Sequence, residues 1–282
     1  MEIVVSLLLN GLTLVSILML IAIGLAVIYG LIGVINLAHG EFVTIGAYSV
    51  AAVQLAGGSF WIGFVVAPLV GAAVGFLVEW GILKRLYERP VSAILATWGL
   101  SLIIQQVLQL VFGAAPMLAQ APISGSIQVA RIGYPIYRFL LIGLSLAIIT
   151  GCWAVVRYTN YGTDLRAVLQ NRQMAEALGI DTRRIYMSAF IIGAALAAIA
   201  GALLAPMAVV IAQMGVNYLA KSFFVVIVGG VGSVAGVAAG SAVIGGLETV
   251  FNYVISASLA QALVLGLAIV LVRFRPTGIF SE

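Results

Sequence analysis

Few side chains in this sequence can do chemistry. The run Asn36-Leu37-Ala38-His39-Gly40-Glu41 sets the single histidine of the chain two residues from a carboxylate. Glu248 stands in a long apolar stretch, and Gln105, Gln106 and Gln109 form an amide cluster in another. Ionisable groups at membrane depth are costly, so they face a pathway or a partner. His39 and Glu41 would diverge on a continuous helix but could both line a broken one, shaping or gating a solute path. Alternatively, Asn36 and Glu41 cap two helices at an interface, with His39 hydrogen-bonded between them. Asn36, His39, Glu41, Gln105, Gln109 and Glu248 are therefore the candidate pathway residues. The amides would suit a small neutral polar solute, or could join helices to one another. Paired carboxylates and a catalytic triad are absent. One histidine and one cysteine (Cys152) argue against a metal site, and the lone cysteine against an internal disulfide.

The elements that must position these residues are set by composition. Of 282 residues, 63% are hydrophobic and 8% charged, where a soluble domain carries about 25% charged residues. Such a chain cannot cover a water-facing surface, so an all-α polytopic transmembrane bundle is expected, with the lipid bilayer as its surroundings. The apolar segments are continuous rather than alternating, which excludes a transmembrane β-barrel. The net charge of +4 is too thin and dispersed for nucleic acid. Met1-Glu2 lacks a basic leader and the apolar run that follows is longer than a signal core, so no cleavable signal is expected.

The apolar stretches run 3–34, 42–56, 60–83, 91–112, 139–156 and 187–212, and a last region extends from Lys221 to Val272. The first is longer than a bilayer core of about 30 Å and must tilt or break near Gly24, Gly30 or Gly33. The connector 113–137, with Pro116, Pro122 and Pro135, reads as loop or short helices. Gly193, Ala197, Gly201 and Ala205 recur at four-residue spacing, a face that another helix can approach closely. Region 222–255 is too long for one span and is broken by Gly229-Gly230-Val231-Gly232-Ser233, so two crossings hinged there are expected. The total is eight to ten crossings in one domain, 1–282. Three basic residues in 84–90, five in 157–185, and Arg273 and Arg275 at the tail should share a face. The positive-inside rule makes that face, and the C-terminus, cytoplasmic.

The polar island, Arg157 to Ile185, holds five arginines (Arg157, Arg166, Arg172, Arg183, Arg184) and three acids (Asp164, Glu176, Asp181). It reads as two or three short helices. Thr163 can cap the first, Asn171 the second, and Asp181 or Thr182 the third, with Gly179 as a left-handed stop. Met174, Ala175 and Leu178 share one face of the middle helix. This face could dock into a groove on a cytoplasmic partner; equally, the arginines could only anchor topology.

Three segments resemble the membrane permeases of bacterial ABC importers for branched-chain amino acids and urea. They are 30–42, GLIGVINLAHGEF; 170–180, QNRQMAEALGI, with the small-residue stretch after it; and 229–236, GGVGSVAG. The resemblance spans essentially the whole chain. It implies a permease subunit in a bacterial inner membrane, paired with a second related permease. It also implies cytoplasmic ATP-binding subunits and an extracytoplasmic solute-binding protein. Arg166, Asn171, Arg172, Met174, Ala175, Glu176, Ala177, Leu178 and Gly179 would form the loop that couples to the ATPase. In such loops a glycine follows Glu-Ala-Ala further downstream; here Gly179 arrives three residues after Glu176. Segments 97–106 and 170–172 are similar to the urea-type branch, which makes urea the expected solute and branched-chain amino acids the alternative.

A P-loop requires Gly-Lys, and neither Lys84, after Leu83, nor Lys221, after Ala220, supplies it. The chain is thus expected not to be an enzyme and to hold no cofactor. ATP-Mg would bind a separate chain. A self-sufficient secondary transporter or channel is the rival class.

Overall fold

A computed structural model describes residues 2–87, 89–129, 132–230, 232–275 and 278. Among these are eleven α-helices and one β-hairpin. In chain order they are α1 (Glu2–Ile32), α2 (His39–Leu55), α3 (Phe60–Gly81), α4 (Pro90–Phe112), β1 (Ser126–Val129), β2 (Ile132–Pro135), α5 (Ile136–Tyr158), α6 (Asn160–Gln170), α7 (Arg172–Ala177), α8 (Thr182–Leu204), α9 (Met214–Gly229), α10 (Val234–Val254) and α11 (Ala257–Phe274).

Two ends of the bundle are defined by contacts. At one end, the Tyr186 hydroxyl donates to the Leu31 carbonyl at 2.8 Å. The Tyr87 and Tyr186 rings lie 5.0 Å apart. Arg157, Arg166, Gly232 and Ser233 line one cleft, and Gly278 lies against Gly230. Hence the turn after α3, the island, the hinge before α10 and Gly278 meet at one end. At the far end, Gln54 at the close of α2 exchanges two hydrogen bonds with the backbone of Gln120. Met117 pairs with Val210, and the Tyr134 hydroxyl donates to the Leu9 carbonyl at 2.8 Å. The described residues thus run from the far end, at α1, to the island end, at Gly278.

Seven helices are long and apolar enough to cross a membrane. The shorter α2 (17 residues) and α9 (16 residues) also carry the chain between the two ends. Seven plus two gives nine passes among the described residues, an odd number, as the opposite ends of α1 and Gly278 require. The expected break falls between α9 and α10, where Gly230 (φ 107°) and Gly232 (φ 81°) take the left-handed backbone that glycine permits.

The centre is held by close backbone approach. A Cβ on Gly46 would lie 1.9 Å from the Ala198 carbonyl oxygen, and one on Gly201 1.9 Å from that of Val43. α8 thereby touches α2, while Gly24 and Gly193 bring it against α1. The small-residue face of α8 is buried throughout, as its spacing predicts.

Several expectations are corrected. The first apolar stretch passes Gly24 and Gly30 unbroken and ends at Gly33, the last of its three expected break points. α1 is one helix of 31 residues, about 46 Å long, and it stops before Gly33 (φ 69°). The connector holds the hairpin β1–β2, with Ile127 opposite Tyr134, where loop or helix was expected. Its β-branched and aromatic residues suit a strand, and Pro135 stands at the strand's end, where its missing N–H does no harm. Lys221 does not open a span: it sits inside α9.

Candidate pathway core and coupling surface

α2 begins inside the bundle. Asn36 Oδ1 accepts the Ala38 N–H at 3.0 Å, forming the turn that starts the helix. His39 and Glu41, in its first turn, are 0% and 1% exposed. Their side chains go to different partners. His39 Nε2 lies 3.2 Å from the Ile21 carbonyl of α1. Glu41 accepts from Ser101 Oγ at 2.8 Å and Gln105 Nε2 at 2.8 Å on α4, and from Thr44 Oγ1 at 3.3 Å. Thr44 Oγ1 in turn accepts the Gly215 N–H of α9 at 3.0 Å. A second strut links Thr97 Oγ1 of α4 to the Leu37 N–H at 3.2 Å. The polar knot is therefore a four-way joint among α1, α2, α4 and α9. His39 is not bonded between Asn36 and Glu41, and Glu41 caps no helix. Asn36 Nδ2 and His39 Nδ1 have no partner among the described residues.

The remaining candidates separate. Gln109 Oε1 accepts from the exposed Gln106 Nε2 at 3.3 Å, whereas Gln105, one turn earlier on the same face, is bonded to Glu41. Glu248 forms an ion pair with Lys221 at 2.5 Å, with side chains 7% and 12% exposed. It neither meets a helix terminus nor joins the Glu41 joint. Sequence reasoning passed over Thr97, Ser101, Thr44 and Lys221. A signal was there: Thr97, Ser101 and Gln105 recur every four residues, a polar stripe on the apolar α4. Lys221 and Glu248 are the opposite charges of the last apolar region.

The caps of the island follow the local expectations with one change. Thr159, not Thr163, caps α6 by accepting the Gly162 N–H at 3.2 Å; Thr163 lies inside the helix and donates to the Thr159 carbonyl. Asn171 caps α7 through the Met174 N–H at 3.0 Å, and Gly179 is left-handed with φ 87°. Asp181 caps α8 through the Arg184 N–H at 3.1 Å. Ala175 is buried against Leu31, Leu165 and Ile185, whereas Met174 and Leu178 are 60% and 73% exposed. The three residues thus do not form one docking face: Ala175 turns inward and seats the helix, while Met174 and Leu178 are exposed.

Glu176 clamps α7 to α8. It accepts from Thr182 Oγ1 at 2.7 Å and pairs with Arg172 Nε at 2.9 Å. These bonds, that from Thr182 foremost, hold its carboxyl below the usual carboxylate range. Arg172 also lies 5.4 Å over the Tyr186 ring. Arg166, Asn171, Ala177 and Gly179 are exposed around this helix.

The chain is similar to known transport permeases. A family model described as branched-chain amino acid transport system / permease component matches residues 7–273. The high-affinity branched-chain amino acid transport system permease protein LivH of Escherichia coli K12 is 33% identical over 97% of this chain and 94% of its own length. The corresponding permease protein LivM of the same organism is 26% identical over 78% of this chain and 58% of its own. The solved structure of PsaBC from Streptococcus pneumoniae in complex with Fab aligns with a TM-score of 0.51 at 15% identity. It covers 94% of this chain and 91% of that chain, and so shares the fold.

Proposed function

This chain belongs to the family of branched-chain amino acid transport permease components, and from that premise we propose that it is the membrane-spanning subunit of an ATP-driven importer of branched-chain amino acids. The observation that carries the coupling is α7. It is capped at both ends, seated by Ala175 and clamped by Glu176, and it offers Met174 and Leu178 to a partner. A rigid helix with an exposed apolar pair fits a groove on a cytoplasmic ATPase. The partner hydrolyses ATP-Mg, and α7 passes the movement to α8 through Thr182. The arginine-rich end is the cytoplasmic one by the positive-inside rule, which puts the C-terminus in the cytoplasm and the far end toward a solute-binding protein. The similarity to both LivH and LivM supports pairing with a second, related permease. The setting is a bacterial inner membrane.

The urea reading of segments 97–106 and 170–172 gains no support. LivH and LivM are named for branched-chain amino acids. The physical ground for urea also weakens, because Gln105 is engaged by Glu41, and Gln106 and Gln109 bond to each other.

The test is uptake of labelled leucine by the assembled complex in proteoliposomes, with excess urea as competitor. ATP-dependent uptake that urea leaves unchanged supports the reading. Replacing residues 172–179 by a Gly/Ser linker should release the ATPase and stop uptake while the chain stays inserted. Leucine or urea flux through the isolated chain without ATP would reject the importer class in favour of a channel or secondary transporter.

A further inference from the structure

Arg138 stands at the far end, in the first turn of α5, half-buried. Its Nη1 donates to Asn10 Oδ1, and its guanidinium lies 5.3 Å from the Tyr134 ring. Among the described residues no carboxylate pairs with it. Glu248, the buried acid of α10, is already paired with Lys221 at 2.5 Å. A partly buried, uncompensated guanidinium with five N–H donors calls for an anion, and its planar fork suits a carboxylate.

Arg138 opens onto a cleft of about 400 Å³ between α1, α9 and α10, within the range of small-molecule sites, about 300–1,000 Å³. One part of the lining is polar, from Asn10 and Asn252, and another is aliphatic, from Leu14, Leu204 and Met207. A cation and amides beside an aliphatic wall complement a molecule with a carboxylate at one end and a branched hydrocarbon at the other.

We propose that the Arg138 cleft is an entry subsite that takes the α-carboxylate of a branched-chain amino acid, with Leu14, Leu204 and Met207 receiving its side chain. The proposal rests on the importer reading above and names where this chain itself holds the substrate. A phospholipid headgroup phosphate offers the same anionic chemistry, so the test separates the two.

Labelled leucine binding is measured on the full chain in nanodiscs of zwitterionic lipid, without solute-binding protein. Leucine should bind saturably, unlabelled leucine should compete, and leucinamide, which lacks the carboxylate, should not. Arg138→Gln should weaken binding at least about tenfold and Arg138→Lys less, as expected for loss of a charge-assisted hydrogen bond. Leu14→Trp, which fills the aliphatic side and leaves the cation, should also reduce binding. Competition by leucinamide equal to that by leucine, or an Arg138→Gln variant that folds and binds as the parent does, would overturn the proposal. So would an Arg138 effect seen only as lost retention of phosphatidylglycerol, which would assign the cation to lipid. Absence of leucine binding to the parent chain also overturns it. ATP-driven leucine uptake by the assembled complex would then still stand, because that measurement is separate.

Discussion

The centre and the periphery of this bundle are joined by different means. α8 meets α1 and α2 through backbone, at Gly24, Gly46, Gly193 and Gly201, where no side chain intervenes. α4 and α7 add side-chain hydrogen bonds to their apolar contacts, at Ile104 and Leu108 for α4 and at Ala175 for α7. α4 hangs on Thr97, Ser101 and Gln105, and α7 on Glu176 with Thr182. Backbone contacts at van der Waals distance give no room for adjustment, since interiors are close-packed. Hydrogen bonds between side chains can break singly and re-form. The difference teaches where movement can enter: a fixed core around α8, with α4 and α7 as the elements able to shift against it. The cleft of about 430 Å³ between α2, α3 and α4, lined by Tyr48, Val70 and Ile104, fits that division.

The comparison breaks first at Gly201. Gly201→Leu should cost more than about 4 kcal/mol, because its side chain meets backbone that cannot yield. Little monodisperse protein should survive size-exclusion chromatography after mild solubilisation. Normal recovery and thermal stability would show that the centre is not rigid.

α9 and α10 use both kinds of joint, which sharpens the contrast. Gly229 lies against Gly236 and Gly240 against Val225, and Lys221 pairs with Glu248. Glu248→Leu alone should destabilise by about 3–5 kcal/mol, because it leaves a buried ammonium without a partner. The double variant Lys221→Met with Glu248→Leu should recover most of that in the same thermal assay, with the glycines holding the helices together. A double variant as unstable as the single would make the ion pair the main joint.

A smaller effect is expected at the α4 latch. Glu41→Leu removes the acceptor for Ser101 and Gln105 and should cost about 1–3 kcal/mol. Glu41→Gln, which keeps an acceptor, should lose less. Accessibility of a cysteine placed on α4 should rise in Glu41→Leu. Unchanged labelling would mean that α4 is held by apolar contact and not by the latch.

The smallest effect is the pH response of α7. Glu176 titrates below its ordinary value in the folded chain, so its clamp is complete above the unfolded pKa of about 4.3. The contribution fades as pH falls from there through the folded value. Hydrogen exchange of segment 171–182, corrected for intrinsic rates, should be equal at pH 7 and pH 6 and faster near pH 4. A Glu176→Gln variant should lose the dependence. If the parent chain shows none, the bond from Thr182 does not seat the helix.

How much was legible follows the range of each interaction. The caps at Asn171 and Asp181 and the stop at Gly179 are hydrogen bonds and dihedrals spanning a few residues, so sequence displays them. The choice of Thr163 over Thr159 failed because two threonines four residues apart offer the same cap, and only the end of α5 decides between them. The hairpin 126–135 escaped because its strands are four residues each and the prolines around it read as loop.

By itself, the sequence determined a membrane bundle, its approximate spans, the island and the hinge at 229–233. Composition and local geometry suffice for those, because lipid forbids charged surface and the backbone must satisfy its own hydrogen bonds. Counting two crossings also put the 84–90 turn and the island at one end, whereas the tail's place there rests on Gly278 against Gly230. Only tertiary structure decided that Glu41 meets α4 while Glu248 meets Lys221, and that Gln105 joins Glu41 while Gln109 bonds with Gln106. The period of a helix states which residues share its face. It does not state which helix, dozens of residues away, that face will meet.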